Sequence, residues 1–348
     1  MLMLKKTIAA LSLLSILAAC QNDENPPQPE PKPRQDINLT RAEQEFMDKG
    51  TDFAFRFFDQ VCSTEKEKPN VFVSPLSASL CLSMITNGAT DNTLAEMQDV
   101  LGFPANTFSL DDLNNYNQKL TSALLDLDNT TQLGIANSIW IEEGFKVYDS
   151  FVDVNKKMYD AQVQELDFTS PTAKDVINQW CATQTNNCIK EVIQEIPADA
   201  RMYLINALYF KGIWKSQFDK SATGQDNFTN VDGSQQKVAM MNQTATFNYT
   251  QTDDFSIAEL PYGNEAFSMV ILLPSGDKTL DESLPSLNYE NWKQWSKNMV
   301  GKELQIKLPR FKVEYDKELE EDMIAMGMKD AFDAYKAKFA NMSGAELY

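Results

Sequence analysis

The spacing of apolar positions along the chain predicts its elements. Phe46, Phe53, Phe57 and Val61 recur at intervals of seven and four, so a helix over Arg41 to Val61 carries them on one face, as a core stripe. Asn70 to Val73 reads as a short strand. Ser74-Pro75 then opens a helix with a Ser cap followed by Pro in the first turn, and Leu76 to Gly88, apolar almost all round, predicts a buried helix. The helical period continues in Thr93 to Leu101 and Ser109 to Leu127. Gln132 to Ile141 alternates as a strand, followed by a helix at Phe151 to Tyr159, a strand at Gln162 to Phe168, and a helix at Thr172 to Cys188 behind Pro171.

Strand patterns dominate the second half. Met202 to Phe210 is a nearly continuous apolar run between Asp199 and Gly212, the pattern of a strand buried on both faces in the middle of a large sheet. Ile257 to Tyr262 and Phe267 to Leu273 form a hairpin about Gly263-Asn264-Glu265. Leu280 to Asn298 holds one or two short helices. Leu304 to Leu308 and Phe311 to Tyr315 read as strands split by Pro309, and Lys317 to Met326 as a helix. The expectation is an α+β chain with a helical N-terminal half and at least one large mixed sheet.

The start of the chain reads differently. Lys5 and Lys6 precede an apolar run from Ile8 to Leu17 that ends in Leu17-Ala18-Ala19-Cys20, a secretory leader too short for the ~20 apolar residues of a membrane span. A Cys directly after Leu-Ala-Ala resembles the bacterial lipobox, which implies cleavage before Cys20 and acylation of that residue; ordinary secretion with Cys20 as a bystander is the other reading. Prolines 26, 27, 29, 31 and 33 then favour an extended linker, so residues 1–19 are assigned to the leader, 20–37 to the lipidated Cys and linker, and 38–348 to one domain. The acidic residues after Cys20 loosely resemble the surface-export signal of Bacteroidetes lipoproteins. The expected location is the outer membrane or cell surface, with the periplasmic side as the alternative.

The formal charge is −19, and losing Lys5 and Lys6 with the leader takes two positive charges from it, giving −21. Such a chain repels phosphate backbones and anionic lipid, so no nucleic-acid partner is expected and the membrane is met through the anchor alone. Of Cys62, Cys81, Cys181 and Cys188, which allow three full pairings, Cys181 and Cys188 are closest in sequence and the favoured disulfide. Their spacing lacks the paired cysteines of structural zinc sites, so neither metal nor other cofactor is assigned.

The chain has 0 His, which excludes Ser-His-Asp and Cys-His catalysis and His-ligated zinc. It has no nucleophile elbow, Walker loop or dinucleotide fingerprint. Asp126 to Thr130 begins like a calcium loop but lacks the Gly at the sixth position. Glu318, Glu320, Glu321 and Asp322 read as a solvated helix face. No catalytic residue is assigned, and the function is binding or depends on chemistry supplied by a partner.

Asn70-Val-Phe-Val-Ser-Pro-Leu-Ser-Ala-Ser79 and Asn87-Gly-Ala-Thr90 resemble the serpin pattern around helix B. Leu204-Ile-Asn-Ala-Leu-Tyr-Phe-Lys-Gly-Ile-Trp214 with Phe218 resembles the family's strand 3A and breach. Leu260-Pro-Tyr262, Val270 to Pro274, Leu308-Pro-Arg-Phe311 and Met326 to Phe332 follow in the same order, so the resemblance covers about Asn38 to Tyr348. Ala337-Lys338-Phe339 departs from it by lacking an acidic middle residue.

This resemblance implies the serpin fold and protease trapping: an exposed loop is cleaved by a serine, or cysteine, protease and inserts as a new strand while still esterified to the enzyme. It places Ser74, Pro75, Ser77 and Asn206 in the shutter beneath the sheet and Trp214 in the breach where insertion begins. The chain stops at Tyr348 where the family pattern enters strand 5A, so the expectation is an incomplete domain without hinge, reactive loop or last strands, acting when complete as a monomeric inhibitor. A non-inhibitory serpin-fold binding lipoprotein is the main rival, and a hydrolase built on carboxylates the weaker one.

Overall fold

The computed structural model describes residues 30–345 and Leu347; the leader, Cys20 and the first prolines lie outside the described residues. The N-terminal half is built from helices whose ends are written in the sequence. α1 (Arg41–Thr64) starts in a capping box between Thr40 and Glu43, which satisfies two otherwise orphaned amides, and buries Phe46, Phe53, Phe57 and Val61. α2 (Pro75–Thr86) starts at the Ser74 cap with Pro75 in its first turn and is buried over most of its surface. α3 (Asp91–Leu101) stops at Gly102, which takes φ +84°, a left-handed conformation suited to glycine. α4 (Leu110–Asp126) repeats the capping box with Ser109 and Asp112.

β1 (Gln132–Glu142) lies between β2 (Ala161–Leu166), parallel to it, and β3 (Met202–Lys211), antiparallel to it. Alternation decides what each face meets. Ile139, Ile141, Met202 and Leu204 join the large core with α1, α2 and α3. Trp140, Tyr203, Ile205 and Ala207 point the other way into a second core. α5 (Asp149–Tyr159) bridges β1 and β2, and α6 (Ala173–Gln184) covers the second face with Ile177, Trp180 and Cys181. The small sheet is therefore sandwiched between a helical layer and one covering helix, which buries both faces of β3 at its start.

A second, five-stranded sheet is antiparallel throughout. β4 (Gly224–Thr229), β5 (Gln235–Gln251), β6 (Phe255–Pro261) and β7 (Ser268–Pro274) follow one another, and β8 (Val300–Pro309) pairs along β5. α7 (Leu280–Ser283), α8 (Tyr289–Lys297) and α9 (Glu320–Met326) complete the described helices.

Five expectations change, the first being that Asp322, read as part of a solvated face, is buried against Lys317 and Thr64. β3 is not central: among the described residues β1 is its only strand neighbour, and its double burial comes from helices on both faces. The mixed sheet is the small one, and the larger sheet is antiparallel. Asn70 to Val73 and Phe311 to Tyr315 form no ladder, although Val313 and Tyr315 still turn inward at alternate positions, because the pattern needs a neighbouring strand before it can become a sheet. The Cys181–Cys188 bridge is absent and all four described cysteines are free. Cys181 points from α6 into the second core, while the chain turns through Asn186 and Asn187 at positive φ before it reaches the half-buried Cys188. β4 and β5 had no counterpart in the pattern, since their Gln, Asn and Thr residues face water for much of their length.

Candidate functional site: shutter and breach

The residues assigned from the sequence to a shutter meet where α2 crosses beneath β3. Ser74 caps α2 by accepting the Ser77 amide at 3.3 Å, so its role is local. Ser77, one turn on, directs its hydroxyl to the sheet and donates it to Asn206 Oδ1. Asn206 Nδ2 donates to Asn137 Oδ1 at 2.8 Å, directly across the strand pair, where Asn137 and Asn206 face each other. Asn137 Nδ2 then donates to the Tyr159 carbonyl at 2.7 Å. Amides set against an apolar core must find partners, and the chain Ser77–Asn206–Asn137–Tyr159 supplies both ends of each. Pro75 sets the first turn of the helix that delivers Ser77.

Asn137 and Tyr159 did not stand out in the sequence. The available signal was an amide within the strand run Ile135-Ala-Asn-Ser-Ile-Trp, which calls for a buried partner. Tyr159 extends the network into the helices: its hydroxyl donates to Asn114 Oδ1 at 2.7 Å and accepts from Asn117 Nδ2 at 3.3 Å. Asn114 and Asn87 exchange paired amide bonds at 2.8 and 3.1 Å. Burial pushes the Tyr159 phenol up to about 12 despite these bonds, so it stays neutral in the physiological range.

The breach lies at the C-terminal end of β3. Half-buried Trp214 stacks on Tyr262 with centroids 4.3 Å apart and planes 18° from parallel, and meets Phe218 edge-on at 6.1 Å. Phe210 packs edge-on against both Tyr262 and Phe267. Glycine is required on either side of this cluster. A Cβ on Gly212 would stand 2.6 Å from the Tyr262 ring, and one on Gly263, at φ +40°, would stand 2.1 Å from Asp128 Oδ2.

Asp128, from the segment that resembled a calcium loop, is instead a clamp on the Gly263-Asn264 turn. Its Oδ1 accepts the Thr130 amide at 2.8 Å and hydroxyl at 2.7 Å, and its Oδ2 accepts the Thr131 hydroxyl at 2.8 Å and the Asn264 amide at 3.4 Å. Burial opposes ionisation, but these bonds outweigh it and hold the carboxyl below its usual range.

Among the described residues no group of three His, Cys, Asp or Glu side chains is placed to hold a metal ion. Burial pushes the Cys62 thiol up to about 11 and those of Cys81 and Cys181 up to about 12, so none is a thiolate nucleophile at neutral pH. The chemistry of the site is therefore that of a hydrogen-bonded joint under a sheet and an aromatic joint at its end.

The family described as Serpin (serine protease inhibitor) matches residues 48–348. The chain belongs to the serpin family. It is 36% identical over 289 residues to Serpin B6 of Macaca fascicularis, covering 80% of this chain and 76% of that protein. It is 33% identical over 302 residues to a serpin-like protein of Methanosarcina acetivorans, covering 85% and 70%. Among solved structures it is similar to tengpin, a thermophilic serpin, in the latent state, with TM-score 0.80, 31% identity and coverage of 90% and 82%. Ovalbumin from emu (Dromaius novaehollandiae) superposes with TM-score 0.81 at 26% identity, covering 87% and 82%. Family membership generally means protease inhibition rather than catalysis.

Proposed function

We propose that the complete protein is a lipid-anchored inhibitor of serine, or cysteine, proteases that traps its target by cleavage and insertion of a reactive loop. The observation that carries this reading is the shutter: Ser77, Asn206 and Asn137 form a polar joint beneath β3, which has no second strand neighbour among the described residues. Small polar contacts there can be exchanged for those of an incoming strand without leaving a buried apolar surface torn open. Export and acylation at Cys20 would place that activity on the cell surface, against enzymes from outside the cell.

Mixing the full-length protein with a panel of serine and cysteine proteases tests the reading. A complex that survives SDS is expected with at least one of them. Cleavage of the inhibitor with no stable complex across the panel would sink it and favour a serpin-fold binding protein.

A further inference from the structure

The proline-rich segment ahead of the domain is docked from the point where it is first described. Asn129 Nδ2 donates to the Glu30 carbonyl at 3.0 Å, and the Lys32 amide donates to Asn129 Oδ1 at 2.8 Å, so both ends of one side-chain amide are satisfied by an extended backbone. Lys32 Nζ adds an ion pair with Asp126 Oδ1 at 2.9 Å, exposed and weak by itself. Pro31 and Pro33 flank Lys32 and pre-set the extended shape, so docking orders few dihedrals.

The loop that receives this segment is the one that clamps the breach turn. Asp128 holds Asn264, and Asn264 Nδ2 donates to the Leu127 carbonyl at 2.7 Å, while Tyr262, two residues before Asn264, stacks on Trp214. Linker, loop and breach thus share one end of the β1–β3 pair, where Gln132 faces Lys211. The opposite end, where Ile141 faces Met202, lies roughly 30 Å away at ~3.3 Å per residue.

We propose that this docking orients the protein on a membrane, with the breach end held toward the lipid surface and the end at Glu143 held away. The inference rests on the reading of Cys20 as the acylated anchor. Nine residues lie between Cys20 and Glu30, a reach of at most about 35 Å at ~3.5 Å per step, so the far end of the sheet comes within reach only at nearly full extension, which the entropy of the tether opposes. An undocked tether running to Ile37 would have seventeen residues and a reach of roughly 60 Å, longer than the sheet, and either end could then face the membrane. The acyl chains supply the attraction, since the chain, at −21 once Lys5 and Lys6 are taken from the −19, is repelled by anionic head groups.

The test uses full-length acylated protein in phosphatidylcholine vesicles, with a photo-cross-linking amino acid in place of exposed Lys215 at the breach end or exposed Glu143 at the other. Severalfold more lipid adduct from position 215 than from 143 is expected, with that bias lost on Asn129→Ala at an unchanged unfolding midpoint. Equal labelling from both positions, or a bias that survives Asn129→Ala, overturns the orientation while leaving the anchor standing. The mass of the Cys20 peptide is read in parallel, and a peptide without acyl chains defeats the anchor reading and the orientation with it.

Discussion

Asn206 has the same partners whether it is regarded as packing or as machinery. Its amide stands between Ser77 and Asn137, and truncation takes the side-chain acceptor from the buried Ser77 hydroxyl and the donor from the buried Asn137 Oδ1. Asn206→Ala should lower stability by about 1 to 3 kcal/mol, the cost of unsatisfied buried polar groups, read as a shift in the urea midpoint. A midpoint unchanged from wild type would mean that water replaces the amide there. Gly263 makes a different case, because both its backbone angle and the space around it exclude a side chain. Gly263→Ala should cost about 1 to 3 kcal/mol through strain and displacement of Asp128, and should loosen the Tyr262–Trp214 stack, seen as changed tryptophan fluorescence.

Between elements, a largely buried ion-pair cluster joins the end of α1 to the start of α9 through Lys317, just ahead of that helix. Lys317 Nζ lies 2.9 Å from Glu65 Oε1 and 3.3 Å from Asp322 Oδ2, and Asp322 Oδ1 also accepts the Thr64 hydroxyl at 2.8 Å. The hydrogen bond from Lys317 holds the Glu65 carboxyl below its usual range. Burial alone would lower Lys317, but Glu65 and Asp322 raise it. For Glu65 the stabilisation is complete above the unfolded carboxyl value of about 4.3 and is lost as pH falls through its depressed folded value. For Lys317 it is complete below about 10.4 and is lost as pH rises through the raised folded value. Stability should therefore be level between these limits and fall outside them, as pH-dependent denaturation would show. Lys317→Met leaves Asp322, which is 0% exposed, as an uncompensated charge and should cost about 3 kcal/mol. A variant as stable as wild type at pH 7 would show that the hydrogen bonds from Thr64 and Gln60 suffice for Asp322 without Lys317.

At the scale of the whole molecule, charge sets what the surface can meet. A net −19 is spread over a chain whose ion pairs are mostly exposed, so the long-range field is repulsive to polyanions. The serpin fold itself does not decide this: protease nexin-1, solved with heparin, superposes on this chain with TM-score 0.81 at 27% identity. This chain should pass through a heparin column at 0.15 M salt and be retained on an anion exchanger, and retention on heparin would reveal a local basic site that the net charge conceals.

Much of this was legible in the residues. The cap at Ser74 and the aromatic stripe of α1 are local features, and local backbone chemistry is the same in any fold. The ordered motifs singled out Ser77, Asn206 and Trp214, and the folded chain gives each a partner: Asn206 for Ser77, Asn137 for Asn206 and Tyr262 for Trp214. Contacts decided the rest. Nothing near Asn137 or Tyr159 in the chain names their partners, which come from elements 20 or more residues away, with |i−j| of 69 for Asn137 with Asn206 and 22 for Asn137 with Tyr159. The apolar run of β3 recorded that both its faces are buried but not that helices bury them, since hydrophobicity measures loss of water and not the identity of the neighbour. The strands β4 and β5 were hidden because polar residues that face water leave no apolar period, and the pairing of Asn129 with the linker because a side-chain amide does not name the distant backbone it will meet; only the folded chain brings those groups together.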